Sequence, residues 1–472
     1  MVKLIKNSVL ILMAFFCSIG YSQTETKAKY VFLFIGDGMG LSQIYTTEMY
    51  LNAKPDEIKI DKLLMNSFPV SSNMTNYSAN SYVTTSCAAA TAMSTGFKTN
   101  NGIIGKSPDQ KISYENISER AKNAGFKVGI LSSVMIDHAT PASFYAHQNS
   151  RNMYYEISME LPNYNIDYFG GGGFHYPKGG KGDQPDAYEN AINKGYTIAD
   201  THEEIRNLKN GDEKIIAINP DMYPSGEFFW AIDKKEEALS LADFTKKGIE
   251  VIDNDKGFFM MIEGGKIDWA CHGNDGVSMV HEVLALDDAI KVAYDFYKER
   301  PDETLIIVTA DHETGSLYTG INYAMQPELL KYQITSVQEF KRKMTELKTA
   351  DPEVSFNTLL DVIQLDFGLG NSAIGLSLDD KDLAMLKSAY DKQFKGNKTI
   401  NADADYLSKN TVKSIGETAA YILNNKAGIT WGSGDHSGTP VPVKVIGKGQ
   451  EKFSEYFDNT DLPKKIQNIM GI

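Results

Sequence analysis

Four short apolar segments place the strongest constraint on the fold of this chain. They cover residues 31–36, 128–134, 258–262 and 305–310, and they are rich in Val, Ile and Phe. Such runs predict buried strands of a largely parallel sheet, with helices between them. Apolar residues at helical spacing predict one of those helices over residues 277–298. The predicted fold class is therefore α/β, a three-layer sandwich around a central, mostly parallel sheet.

Acidic residues and histidines stand where these segments end or shortly after them. In an open α/β sheet, ligands bind outside the carboxyl ends of the strands, where such side chains converge. Carboxylates and imidazoles are also common ligands of divalent metals. We therefore interpret these residues, together with a late histidine, as one metal-binding site. Its members are Asp37, Glu263, Asp268, His272, Asp311, His312 and His436.

Spacing along the chain divides this set into clusters. Zinc prefers imidazole and carboxylate ligands in a compact, tetrahedral shell. Asp268 and His272 are four residues apart, which puts both on one face if that turn is helical. With His436 they form a carboxylate–imidazole–imidazole set that leaves a position open for substrate. A lone His–Asp pair is more often only a hydrogen bond, but here several clusters share the same strand-end position.

Two further clusters use the remaining residues. Asp311 and His312 are adjacent, as suits a loop that leaves a strand, and Asp37 can join them around a second metal. Glu263 and Thr140 offer only oxygen ligands, which favours a magnesium-like third site.

Three consecutive hydroxyl residues, Thr84, Thr85 and Ser86, precede the alanine-rich segment CAAATAMSTG. Alanine favours helix, and a helix N-terminus presents free N–H groups and the positive end of its dipole to an anion. A zinc-ligated hydroxyl there can ionise near neutral pH and attack phosphorus. Serine and threonine are also the usual helix caps, so spacing alone does not decide among the three.

Arg151, in AHQNSRNMYY, is the candidate anchor for substrate. A guanidinium group can grip two nonbridging oxygens of a phosphate monoester in a bidentate manner. A single arginine is more often a surface residue, so this assignment depends on the other groups of the site.

Bulk properties restrict the class of protein. A chain of 472 residues with 42% hydrophobic and 23% charged residues is typical of a globular protein. The formal charge of −14 argues against a nucleic-acid scaffold, because a negative surface repels phosphate backbones. A phosphate site in such a chain needs local cations, metals included.

Residues 1–22 are predicted to be a secretory signal peptide. Two lysines precede an apolar run too short to span a membrane, and small residues follow it for cleavage. Cys17 suggests a lipoprotein anchor, but the two phenylalanines before it fit that signal poorly. We therefore expect a periplasmic or secreted protein without a stable membrane anchor. Free buried thiols at Cys87 and Cys271 are favoured over a single disulfide.

Residues 318–428 differ in composition from the rest of the chain. They contain charged amphipathic helices separated by polar loops, and they interrupt the strand pattern. We predict a mostly helical insertion in a single catalytic domain of residues 23–472. Its last helix, near 411–424, is expected to pack on the core. A strand pair around ITWGSG and VPVKVIG is expected to close the fold.

Six motifs make the chain resemble the alkaline phosphatases. They occur in family order, and only the insertion and residues 155–250 lack a clear match. The motifs are VFLFIGDGMG, YVTTSCAAATAMSTGFKTNNGIIG, DHATPASFYAHQNSR, FFMMIEGGKIDWACH, TADHETG and GDHSG. The resemblance implies an alkaline-phosphatase-like fold and an enzyme that hydrolyses small phosphate monoesters.

The resemblance also implies roles for the matching residues. Ser86 is the nucleophile that becomes phosphorylated, and Arg151 clamps the phosphoryl oxygens. The ligands implied for one zinc are Asp268, His272 and His436. Those implied for a second zinc, which also activates the nucleophile, are Asp311, His312 and Asp37. Those implied for magnesium are Asp37, Thr140 and Glu263.

Three positions depart from the best-known bacterial pattern. His138 stands near the magnesium, beside its ligands, where an aspartate is often found. Trp269 stands on the substrate side, where a lysine or histidine often reaches the phosphate through water. Thr85 replaces an aspartate that often precedes the serine. We expect an altered hold on the third metal and on product phosphate.

The implied reaction has two in-line displacements, first by Ser86 on the ester and then by water on the phosphoserine. One alternative is a phosphodiesterase or sulfatase on the same fold; another is a metal- or phosphate-binding protein without turnover. Arg151 favours a dianionic monoester, and no cysteine motif for formylglycine is visible. The intact nucleophile argues against a protein that only binds. A homodimer is expected, with a monomer as the alternative.

Overall fold

The computed structural model of the protein describes residues 27–321, 323–396 and 414–472. The predicted signal peptide, residues 1–22, lies outside these ranges. In the described residues the strands are β1 (Tyr30–Gly36), β2 (Val70–Thr75), β3 (Lys127–Ser132), β4 (Tyr168–Gly171), β5 (Thr197–Ala199), β6 (Ile215–Ile218), β7 (Phe258–Gly264), β8 (Thr304–Ala310), β9 (Glu313–Thr314), β10 (Leu317–Thr319), β11 (Ile429–Trp431), β12 (His436–Ser437), β13 (Val441–Gly447) and β14 (Phe457–Asp458).

Helices connect and cover these strands. The α-helices of the described residues are α1 (Leu41–Leu51), α2 (Ser86–Thr95), α3 (Ile117–Asn123), α4 (Ala139–Ala142), α5 (Tyr154–Glu160), α6 (Ala187–Asn193), α7 (His202–Asn207), α8 (Leu241–Ile252), α9 (Lys266–His272), α10 (Gly276–Glu299), α11 (Val337–Ala350), α12 (Phe356–Phe367), α13 (Asp380–Tyr390), α14 (Ile415–Ala427) and α15 (Asp461–Met470).

Ten strands form one sheet in the order β14-β2-β13-β8-β1-β7-β3-β4-β6-β5. The strands from β8 to β5 pair in parallel, and β13 joins antiparallel beside β8. Every residue of β1, β7 and β8 is buried, so both faces are covered at the centre of the sheet. The α/β prediction is confirmed, as are the four predicted strands, which are β1, β3, β7 and β8, and the predicted helix, which is α10.

The predicted insertion contains helices α11 to α14 in its described part, which excludes residues 322 and 397–413. Its last helix, α14, is largely buried and contacts α11 and α13. The expected strand pair at its end is wrong. β11 pairs with β10 in a separate two-stranded sheet, whereas β13 joins the main sheet. Both segments have strand-forming composition, but composition does not specify which strand lies next to which.

Two smaller expectations concern thiols and the membrane. Cys87 and Cys271 are free and buried, as expected. In the described part of the chain, no helix has both the length and the apolar character needed to cross a membrane.

A half-buried histidine stabilises the segment that leads to Arg151. His147 lies 3.5 Å from the carboxylate of Glu119 and 3.4 Å from that of Glu160. Its main-chain N–H also donates to Glu160, and its Nδ1 lies 2.9 Å from the Tyr164 hydroxyl. Burial lowers the pKa of His147, but the hydrogen bonds to the two glutamates outweigh burial and raise the pKa to about 10.

We expect His147→Gln to destabilise the protein in a pH-dependent manner. The pKa of His147 rises from 6.5 to about 10 on folding, so its stabilising charge is fully present below pH 6.5. That contribution is lost as the pH rises through about 10. The free energy of unfolding, measured in urea, should be about 2 kcal/mol lower for the variant than for the wild type at acidic pH. The difference should be smaller at strongly alkaline pH. His202→Gln is the control, because it removes an ion pair with Asp221 near the surface. An equal loss of unfolding free energy for His147→Gln at both pH values contradicts the prediction.

Candidate metal and nucleophile site

Three neighbouring strands bring carboxylates to one edge of the sheet. β1 lies between β7 and β8, and its register places Ile35 opposite Glu263 on one side and Thr309 on the other. Asp37 and Asp311 come directly after β1 and β8. Because the three strands are parallel, their carboxyl ends meet at the same edge, as the sequence predicts.

Asp268, His272 and His436 form the first cluster. Asp268 and His272 lie one turn apart on α9, with 3.2 Å between Oδ2 and Nε2. His436 Nε2 is 3.2 Å from His272 Nε2 and 3.7 Å from Asp268 Oδ1. Nδ1 of His272 is 2.6 Å from the Gly434 carbonyl, and Nδ1 of His436 is 2.8 Å from the Thr84 carbonyl. Donation from each Nδ1 leaves both Nε2 atoms available as metal ligands.

Asp37, Asp311 and His312 form the second cluster, and all three are fully buried. His312 Nε2 lies 3.4 Å from Asp37 Oδ1 and 3.2 Å from Asp311 Oδ2. The same nitrogen is 3.2 Å from Ser86 Oγ. The rings of His312 and His436 stack with 3.6 Å between their centroids, so the first two clusters adjoin.

A third cluster shares Asp37. Candidate ligand atoms of Asp37, His138 and Glu263 lie within 4.8 Å of one another, and all three residues are buried. Ser132 donates to Glu263, and Thr140 is close enough to influence the pKa of that carboxyl. The sequence predicts His138 beside the ligands of this site, whereas in the structure it belongs to the candidate ligand group itself.

Several oxygen atoms of these clusters are buried and lack a hydrogen-bond partner among the described residues. They are both carboxylate oxygens of Asp37, Oδ2 of Asp311, Oε1 of Glu263 and Oγ1 of Thr140. Burial of such groups without partners is strongly unfavourable. Divalent cations would supply the missing partners, so the donor set fits bound metals.

Burial and mutual repulsion favour the protonated form of most of these carboxyls. Burial raises the pKa of Asp37 well above its ordinary value, and Asp311 and Asp268 raise it further. Burial also raises the pKa of Glu263 to about 8 and that of Asp311 to about 7. Asp268 differs: burial raises its pKa, but nearby histidines outweigh burial and hold the pKa well below its ordinary value.

Ser86 is the first residue of α2, and Thr85 is its N-cap. Of the three hydroxyls that the sequence left open, Ser86 lies against His312. The Thr85 hydroxyl accepts the N–H of Gly102 at 3.1 Å, and the Thr84 hydroxyl donates to a neighbouring carbonyl. The geometry therefore favours Ser86 as the nucleophile among the three.

Arg151 and Trp269 both lie against His138. Arg151 Nη2 donates to His138 Nε2 at 3.0 Å, and its main-chain N–H donates to the Gly102 carbonyl at 2.8 Å. The Trp269 ring meets the His138 ring edge-on, with 5.9 Å between centroids. Asp37 and Asp268 are among the charges that act on Arg151. The two residues predicted to face substrate therefore gather at the third cluster.

Two residues whose roles the sequence analysis missed link the clusters. Thr314 Oγ1 donates to Asp268 Oδ1 at 2.5 Å and accepts from His312 Nδ1 at 3.1 Å. Glu313 accepts from Ser437 across the antiparallel pair of β9 and β12. Both residues lie in the motif TADHETG, but neither has a spacing or residue type that marks it as a link.

The model of the alkaline phosphatase family matches residues 28–472. The chain belongs to this family. Alkaline phosphatase 3 of Bacillus subtilis (strain 168) is 30% identical over 458 residues, which cover 94% of this chain and 89% of the relative. A cold-active alkaline phosphatase from the psychrophile Shewanella sp. has a TM-score of 0.76 at 25% identity, and the match covers 93% of this chain and 99% of the other.

A second solved structure is a His-to-Glu mutant of TAB5 alkaline phosphatase, with Mg bound in its M3 site. It has a TM-score of 0.65 at 25% identity, and the match covers 94% of this chain and 98% of that one. These relatives confirm the predicted family, the fold class and a phosphatase enzyme. Membership of the family supports hydrolysis of phosphate monoesters.

We expect zinc binding to the metal-free protein to release protons and to strengthen as the pH rises. Without metal, Asp311 titrates near pH 7 and Glu263 near pH 8, so metal must displace protons below these values. Titration calorimetry in buffers of different ionisation enthalpy measures this release, which should be smaller above pH 8 than below pH 7. Asp311→Asn is the matched variant and should release fewer protons. Equal release at both pH values contradicts the prediction.

Proposed function

We propose that the protein hydrolyses phosphate monoesters through a phosphoserine intermediate at Ser86. One observation supports the proposal most directly: Ser86 Oγ lies 3.2 Å from His312 Nε2, next to buried carboxylates whose oxygen atoms lack hydrogen-bond partners among the residues that the structure describes. A nucleophile, a metal-ligand set and a guanidinium group thus lie together. That combination is typical of phosphoryl transfer.

The proposed cofactors are two zinc ions and one magnesium ion. The residues that would hold one zinc are Asp268, His272 and His436, and those for the other are Asp37, Asp311 and His312. Those for magnesium are Asp37, Glu263 and Thr140, with His138 now a candidate fourth ligand. When bound, the metals would act as Lewis acids that favour ionisation of the serine and stabilise negative charge on oxygen.

The side chains account for the course of the reaction. Ser86 Oγ forms a bond to phosphorus as the bond from phosphorus to the alcohol oxygen breaks; the serine gives its proton to solvent, and the departing alkoxide takes up a proton. Water then attacks phosphorus from the side opposite Ser86 Oγ and gives up a proton; the bond between Ser86 and phosphorus breaks, the serine regains its proton and inorganic phosphate is released. Arg151 would hold two phosphoryl oxygens during both steps, and its charge compensates the negative charge on the transferring group.

A phosphodiesterase or sulfatase on the same fold is the main rival. Arg151, which contacts His138 at the third cluster, favours a dianionic monoester over a singly charged diester or sulfate ester. The rates of the purified protein on an aryl phosphate, an aryl phosphodiester and an aryl sulfate test this choice at alkaline pH. A faster rate on the diester or sulfate would overturn the proposal, and no turnover of any substrate would favour a binding protein.

Export and assembly complete the proposal. We propose that residues 1–22 direct the chain to the periplasm or medium and are then removed. We also propose a homodimer, with a monomer as the alternative. The N-terminal mass of the exported protein and its sedimentation coefficient test these two points.

We expect Ser86→Ala to lower kcat by several orders of magnitude, because the variant lacks the hydroxyl that accepts the phosphoryl group. Its zinc content, measured by atomic emission, should equal that of the wild type. Ser81→Ala is the control, since it removes a hydroxyl that hydrogen-bonds Val83 in the same segment. Near-normal turnover by Ser86→Ala would refute the proposed nucleophile.

The pair His138→Asp and Trp269→Lys should tighten inhibition by inorganic phosphate. The aspartate adds an oxygen ligand at the third cluster, and the lysine adds a positive charge at a position that contacts residue 138. The inhibition constant for phosphate is measured for both single variants and the double variant. Unchanged inhibition in all three would show that these positions do not control the release of product.

A further inference from the structure

A completely buried lysine lies beside the candidate metal ligands. Lys266 is the first residue of α9, two positions before Asp268, and its side chain is fully buried. Burial of a charge is unfavourable, and the positive end of the helix dipole at this position adds to the cost. The ammonium group therefore needs strong compensation from its surroundings.

Residues 222–233, here called the covering segment, supply part of that compensation. Lys266 Nζ donates to the Phe228 carbonyl at 2.6 Å. It also lies 3.9 Å from the centroid of the Trp230 ring and 4.9 Å from that of Tyr223. A hydrogen bond and two aromatic faces together stabilise a desolvated cation.

Nearby acids compensate a further part of the cost. Glu282 on α10 is the acidic group with the largest effect on Lys266, followed by Glu227 and Asp233 of the covering segment. Glu282 also accepts the main-chain N–H of Ala231 at 2.8 Å, so it binds the same segment. Lys266 thus joins α9, α10 and the covering segment at one point.

The helical insertion holds the covering segment from its other end. Trp230 Nε1 donates to Gln338 of α11 at 2.7 Å. Asp233 accepts the hydroxyl of Thr335 at 3.1 Å and the N–H of Ser336 at 2.9 Å. A chain of direct contacts therefore leads from the insertion through Trp230 to Lys266 and α9.

We infer that Lys266 is a positioning residue that fixes α9 so that Asp268 and His272 meet His436 at metal-binding distance. The inference rests on the proposed assignment of one zinc to those three residues. A buried ionic cluster contributes little net stability compared with apolar packing, but it can specify one geometry. The insertion then supports the metal site through the covering segment.

Loss of the Lys266 charge should weaken zinc binding at the first cluster and not at the second. Asp37, Asp311 and His312 follow β1 and β8, and none of them lies on α9. A general loss of stability would weaken metal binding at both clusters alike. Displacement of α9 would instead weaken the cluster that contains Asp268 and His272.

Zinc dissociation constants of the metal-free protein, measured by competition with a chelator, test the inference in two backgrounds. His312→Ala keeps all three residues of the first cluster, and His436→Ala keeps all three of the second. Lys266→Met, which keeps an apolar side chain and removes the charge, should weaken zinc binding at least tenfold in the first background. In the second background, His436→Ala, the same substitution should change the zinc dissociation constant less than threefold.

Lys122→Met is the matched control. It removes the charge of a lysine in an ion pair with Asp167 at 2.7 Å, at the amino ends of β3 and β4. It should leave both zinc constants within threefold of their starting values.

Three outcomes separate the possibilities. Equal weakening in both backgrounds, or no weakening in the first, overturns the role of Lys266. If His312→Ala and His436→Ala do not each leave one zinc site, the proposed metal assignment fails instead. If circular dichroism shows that Lys266→Met does not fold, Trp230→Phe decides, because it keeps an aromatic face and removes the bond to Gln338. Trp230→Phe should weaken zinc binding about threefold at the first cluster and not at the second. Unchanged zinc binding at the first cluster overturns the inference.

Discussion

A concentration of carboxylic acid groups at one edge of the sheet, negatively charged once ionised, is the constraint on which the rest of the structure depends. Parallel pairing of β8, β1 and β7 places Asp311, Asp37 and Glu263 at neighbouring strand ends. Within the described part of the chain, several of their oxygen atoms have no hydrogen-bond partner. Histidines, one arginine and the metals that the donor set fits must offset that charge in a protein whose formal charge is already −14.

Hydrogen bonds between loops make three clusters into one site. Thr314 connects Asp268 of the first cluster to His312 of the second, because its one hydroxyl group contacts both side chains. His138 connects the third cluster to Arg151. Metal positions and substrate position are therefore coupled through side chains that do not themselves take part in phosphoryl transfer, such as that of Thr314.

Local pattern and long-range packing explain what could be predicted from the sequence. The central strands could be found because buried parallel strands need continuous apolar runs, and the pairing of Asp268 with His272 follows from helical spacing. The strands that lie beside β11 and β13 could not be predicted, since composition does not encode strand order. The role of Lys266 could not be predicted either, because its partners are distant in sequence and come from residues 222–233 and from α10.

The attachment of His436 to the Thr84 carbonyl has a consequence for the order of assembly. The two residues are 352 positions apart, and the insertion lies between them. Closure of so long a loop is costly, and contacts of this kind form late in folding. The first cluster is therefore complete only after residue 436 has been synthesised, so chains that end before His436 lack a complete candidate metal site.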